Sequence, residues 1–174
     1  FYFGMPQNEV IDFIECKIKK NDNIFYKDDS VDAAFNGFHY TIRALYNKNK
    51  IYIKFDNNKK VNRIIIEFVK HFTKQIKVYS KSSGVEEFDQ LKKLVSEKYD
   101  LLIEPTKDFI AEFNADLESY NRLTWVFKNN MNDNIILLDL ERTFLKNYPK
   151  FMFLSRVYYL SAEESKIYKE KSGS

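Results

Sequence analysis

The sequence predicts an α+β domain in which a mixed or antiparallel sheet packs against helices. Three observations carry this expectation. Apolar residues recur at helical spacing in some stretches and at two-residue spacing in others. Hairpin-like pairs of short apolar runs fall near residues 50–68 and 135–160, which favours antiparallel neighbours. The chain is 44% apolar and 17% aromatic, with 16 Phe and 12 Tyr, so a modest number of large side chains can fill a core. Residues 61–72 decide the alternative. If they are helical and residues 101–103 form a strand, the alternation becomes regular and a largely parallel α/β sheet follows.

The elements are expected in this order. Asn8 to Lys20 is a helix: Pro6 precedes it, Asn8 caps it, and Val10, Ile11, Ile14 and Ile18 share a face. Ile24-Phe25-Tyr26 is a short strand. Asp28-Asp29-Ser30 then offers capping groups to a second helix, with Val31, Phe35, Phe38, Ile42 and Leu45 on one face up to Tyr46. Ile51, Ile53 and Phe55 alternate with Tyr52 and Lys54, the period of a half-buried strand. Asp56-Asn57-Asn58 is turn chemistry. Val61 to Phe68 then reads as the returning strand of a hairpin, although Val61, Ile64, Ile65, Phe68 and Phe72 also fit a helical face.

Ile76 to Tyr79 is a strand and Val85 to Tyr99 a helix, with Phe88, Leu91, Leu94 and Val95 inward. Leu101-Leu102-Ile103 is a buried strand or the end of that helix, and Pro105 forces a break. Thr106 to about Phe127 is the clearest helix. Thr106 caps it, Asp108 suits its first turn, and Phe109, Ile110, Phe113, Leu117, Tyr120 and Thr124 keep its period. After a polar loop, Ile135 to Leu138 is a central strand buried on both faces. Phe151 to Leu160 supplies one or two further strands. A single globular domain over residues 1–164 and a frayed tail over 165–174 are expected for this length.

Composition removes several function classes. The four glycines stand alone, so no dinucleotide fingerprint or phosphate loop can be written onto the chain. One cysteine, Cys16, allows no internal disulfide, and two histidines offer no zinc spacing. No apolar run is long enough to cross a membrane as a helix. The reading is a cytoplasmic chain without a cofactor or a membrane association, and its oligomeric state is not legible. Net charge is +3, with acids interspersed among the lysines and only five arginines, short of a nucleic-acid footprint. The excess of lysine and asparagine suggests an AT-rich genome, bacterial or phage.

No catalytic constellation emerges. His39, His71 and Cys16 read as structural residues. Asp28, Asp29 and Asp32, and Glu86, Glu87 and Asp89, sit at expected helix starts, where acids suit the helix dipole. Asp139 and Glu141 follow the buried strand and project to one face. They are weak candidates for a metal or an acid–base pair, with Arg142 available to neutralise them. Glu15-Cys16-Lys17 has the Glu-x-Lys form of PD-(D/E)xK nucleases. However, it lies on an expected helix and lacks the more distant Asp, so a metal-dependent nuclease or other hydrolase is only a weaker alternative.

The leading expectation is a non-enzymatic protein-binding module, immunity-like or regulatory, because Tyr and Phe are favoured interface anchors. Ile51 to Asp56 with Lys60-Val61 and Ile64 resembles the central hairpin of many small bacterial α+β proteins, toxin-immunity proteins among them, over less than a tenth of the chain. The alternative is a nucleic-acid-associated protein, with phosphates met by Lys48, Lys50, Lys54, Lys59, Lys60, Arg63, Lys77 and Lys81 and bases stacked on Tyr52 and Tyr79.

Overall fold

The computed structural model describes residues 1–19, 25–28, 41–46, 49–68, 71–73, 86–115, 122–145 and 150–173. The helices are α1 (Gln7–Lys19), α2 (Glu86–Ser96), α3 (Lys107–Ala115) and α4 (Ala162–Ser172). The strands are β1 (Phe25–Asp28), β2 (Thr41–Tyr46), β3 (Asn49–Phe55), β4 (Val61–Glu67), β5 (His71–Thr73), β6 (Asp100–Ile103), β7 (Arg122–Lys128), β8 (Ile135–Leu145) and β9 (Lys150–Leu160). The fold is α+β, and the registered strand pairs are antiparallel. The largely parallel alternative is not supported. Two compact units form, residues 1–68 with 158–174 and residues 69–157, and the division falls inside β9.

In the first unit β1, β2, β3 and β4 form an antiparallel meander. Its local organiser is the β3–β4 turn. The Asp56 carboxylate accepts from the amides of Asn58 (2.8 Å) and Lys60 (2.9 Å), and Lys59 takes a left-handed conformation (φ 57°). This turn sets a register in which Ile53 faces Ile64 and Ile51 faces Ile66. One side of the hairpin is therefore apolar. It buries Ile53, Phe55 and Val61 against Met5, Val10 and Ile14, the last two on α1 as expected. Residues before α1 are held to the same hairpin: Gly4 N donates to Val61 O (2.8 Å) and Gln7 N to Lys59 O (2.9 Å).

Residues 61–67 are thus strand, because cross-strand pairing to β3 satisfies both their backbone and their β-branched side chains. Residues 41–46, expected as the end of a helix, are instead β2. Thr41-Ile42-Arg43-Ala44-Leu45-Tyr46 also alternates, and pairing with β3 from Thr41–Lys54 to Tyr46–Asn49 decides in favour of the strand. The remainder of that expected helix, and the expected strand at 76–79, lie outside the described residues.

The charged segment expected as a frayed tail forms α4. Ser161 caps it, accepting from Glu164 N (3.3 Å), and Gly173 closes it in the left-handed region (φ 70°). Acids fill its first turn and lysines its last, in the sense the helix dipole favours. Glu164 also receives a hydrogen bond from Asn62 and an ion pair from Arg63 of β4.

In the second unit β9, β8, β7 and β6 lie in that order, with β5 also on β9. The polar loop expected at 128–134 is a turn. The Asn129 side chain accepts from Met131 N (2.9 Å), and Asn129 N donates to Asn134 O (2.9 Å). The resulting register sets Leu123 opposite Leu140, Trp125 opposite Leu138 and Phe127 opposite Ile136. All six side chains are buried. From α2, Phe88 meets Trp125 with ring centroids 4.9 Å apart, and α3 contributes Ile110 and Phe113 to the buried set.

Two further elements differ from expectation. The helix beginning after Thr106 ends at Ala115, well short of Phe127, and residues 122–128 are β7. Thr124 happened to continue the helical period, while Leu123, Trp125 and Phe127 keep a strand period that pairing with β8 rewards. Residues 101–103 do form a strand, but an exposed one rather than a buried one.

Trp125 is the single tryptophan and reports on this packing. Phe88→Ala should lower unfolding free energy by about 3–5 kcal/mol and shift Trp125 emission to the red, as read by urea titration followed by fluorescence. An unchanged midpoint would contradict the packing of α2 on β7.

Candidate functional site

The face of β7, β8 and β9 opposite the apolar one carries the most concentrated polar chemistry among the described residues. Register sets Arg122 opposite Glu141 and Thr124 opposite Asp139. Asp139 is 3% exposed. It accepts from Thr124 Oγ1 (2.7 Å), and Arg122 lies 3.6 Å away. Glu141 pairs with Arg156 of β9 at 2.6 Å. Burial raises the Asp139 pKa above the ordinary carboxylate range, and the Thr124 hydrogen bond and Arg122 oppose that rise only in part.

Asp139 and Glu141 do share a face, as expected, but Arg142 does not neutralise them. It points to the other side, where its guanidinium donates to the Phe113 carbonyl and lies 4.0 Å from the Phe113 ring centroid. Arg122 and Arg156, which the sequence reading left out, are the partners. Only strand register brings them there, although the alternation of Arg122-Leu123-Thr124-Trp125 carried the signal for β7. Each carboxylate thus already faces a guanidinium. A cation binding there would have to displace Arg156 from Glu141. Among the described residues no group of three His, Cys, Asp or Glu could hold a metal. The arrangement is suited to locking three strands together.

The basic face divides. Lys48, Lys77, Tyr79 and Lys81 lie outside the described residues. Lys50, Tyr52, Lys54 and Arg63 fall on one side of the β3–β4 hairpin. Tyr52 is 1% exposed, so its ring offers no stacking surface in this conformation. Lys50 pairs with Glu67 (3.5 Å) and Arg63 with Glu164. Lys59 and Lys60 are exposed on the turn, and Lys59 lines a cavity of about 310 Å³ with Pro6, Gln7, Asn8, Ile11 and Asn58.

The remaining candidates are scattered. Glu15 and Lys17 lie on α1, and the Lys17 ammonium sits 5.6 Å from the Phe13 ring centroid. Cys16 is exposed on α1. His71 belongs to β5, opposite Phe153, and His39 lies outside the described residues. Asp28 ends strand β1 instead of starting a helix, while Asp29 and Asp32 are not described. Glu86, Glu87 and Asp89 do occupy the first turn of α2.

A different surface stands out at the end of the second unit's strand order. Among the described residues β6 pairs only with β7 and stands last in the strand order. Leu101, Leu102 and Ile103 are 46%, 49% and 45% exposed. The register shifts between Leu101 and Ile103, so Leu102 sits in a bulge. Asp100 and Glu104, both exposed, flank the three apolar residues. Pro105, without an N–H, stops any continuation.

The chain matches no protein-family model, no curated protein and no solved structure.

The buried carboxylate has a pH signature. Below the ordinary value of 3.8 the folded and unfolded forms both hold the Asp139 proton. Above the raised folded value neither does. Between the two, the folded form keeps a proton the unfolded form releases, so its contribution to stability falls as pH rises through that window. Asp139→Asn cannot ionise. Its unfolding free energy relative to wild type should therefore increase from pH 3 toward neutrality in parallel urea titrations. A relative decrease would contradict net desolvation of Asp139.

Proposed function

We propose that the chain is a non-enzymatic protein-binding module that engages an extended segment of its partner along the outer edge of β6. The observation that carries this reading is the exposed apolar run on the last strand of the order. Three large apolar side chains stand half exposed on a strand whose far side has no described neighbour. Its three apolar side chains stay exposed although flanking acids, a bulge and Pro105 limit the strand, and the unpaired amides and carbonyls of a last strand template further pairing. Adding a strand from another chain satisfies those groups and covers the apolar side chains in one step.

The acidic pair at Asp139 and Glu141 gives an enzymatic reading less support, since both carboxylates meet guanidinium groups within the fold. Nucleic-acid association also draws less support, because Tyr52 is buried and Lys50 and Arg63 are paired with acids. A cytoplasmic setting without a cofactor accompanies the proposal. Among the described residues no helix is long and apolar enough to cross a membrane.

Peptide display against the whole chain tests the proposal. Selected peptides should be short and apolar at alternate positions. Binding should disappear in the triple variant Leu101→Ser, Leu102→Ser, Ile103→Ser, whose stability should change by no more than about 0.5 kcal/mol per exposed site. Peptides that bind this variant as well as wild type would place recognition elsewhere and overturn the reading.

A further inference from the structure

We infer that the segment added to β6 comes from a different chain and carries cationic residues on both sides of a short apolar core. This rests on the strand-addition reading above and goes further by naming the occupant's chemistry. The alternative occupant is a second copy of this chain. Two copies pairing antiparallel through β6, with Leu102 opposite Leu102, would set Asp100 of each opposite Glu104 of the other. That creates two like-charge cross-strand pairs, which are unfavourable. Sliding by one residue in either direction sets an acid or Pro105 opposite an apolar residue and shortens the overlap. The chain also carries a net charge of +3, so copies repel at long range.

The same two acids favour a foreign segment of opposite sign. Lys or Arg opposite Asp100 and Glu104 converts both end positions into favourable cross-strand pairs. Between them, Leu101, Leu102 and Ile103 offer apolar contact for a core of matching length. Asp100 opens the four-residue strand and Glu104 is the first residue beyond it, so the spacing of the cations is set as well as their sign. General attraction of a cationic peptide to this chain is disfavoured by its net positive charge, which makes the local edge the discriminating feature.

The test uses two labelled, end-blocked peptides, Lys-Val-Ile-Val-Lys and Glu-Val-Ile-Val-Glu, titrated onto the whole chain by fluorescence anisotropy, with light scattering for oligomeric state. The Lys-flanked peptide should bind about tenfold more tightly, from two cross-strand pairs changed in sign. The preference should invert in the double variant Asp100→Lys, Glu104→Lys, and the chain should remain monomeric. Equal affinity for the two peptides would overturn the charge inference while leaving strand addition intact. A dimer that Leu102→Lys dissociates would overturn the assignment to a foreign chain. Failure of both peptides to bind would remove strand addition itself, and the inference with it.

Discussion

The register of β7 against β8 is the constraint on which the second unit depends. Because side chains alternate across a sheet, one pairing decides two faces at once. With Trp125 opposite Leu138, the apolar residues of both strands face α2 and α3. The same pairing sets Arg122 and Thr124 beside Glu141 and Asp139. A slip of one residue would place Trp125 on the same face as Asp139, so that either Trp125 and Phe127 turn outward or the carboxylates enter the apolar layer. The cost of burying an unpaired charge there would far exceed what any single contact supplies. The ion pairs on the polar face are thus as much a safeguard on register as a source of stability, since buried pairs gain little over apolar ones of equal size.

Turn chemistry enforces register in both units by the same means. Asp56 in one turn and Asn129 in the other accept amide hydrogen bonds from residues further along their own loops. Each loop also holds one non-glycine residue in the left-handed region, Lys59 and Asp133. Asp133 is well suited to this conformation and Lys59 less so. Neither loop contains a glycine, consistent with a chain that has only four.

Much of the fold was legible from spacing, and the failures have physical causes. Residues 51–55 and 61–67 alternate in β-branched side chains beside clear turn residues, so local signals agreed with tertiary pairing. Residues 41–46 and 122–128 satisfied two periods at once, and only a partner strand, invisible in one dimension, resolves such cases. The shared face of Asp139 and Glu141 was readable because they sit two apart. Arg122 and Arg156 were not, because they arrive from β7 and β9. Leu101, Leu102 and Ile103 looked like core by composition. Their exposure follows from β6 being the last strand in its order, and position in a sheet leaves no mark on the residues themselves.

The brevity of β6 sets a clock on anything that docks there. A strand of four residues closed by Pro105 offers few main-chain hydrogen bonds, each contributing about 0.5–1.5 kcal/mol net. Differences of that kind fall mainly on the rate of departure rather than of arrival. An occupant held by this edge alone would leave soon after it arrived, and the chain would sample passing segments instead of storing one. A lasting complex would require a second point of attachment, with a tether supplying the effective concentration that so short a strand cannot.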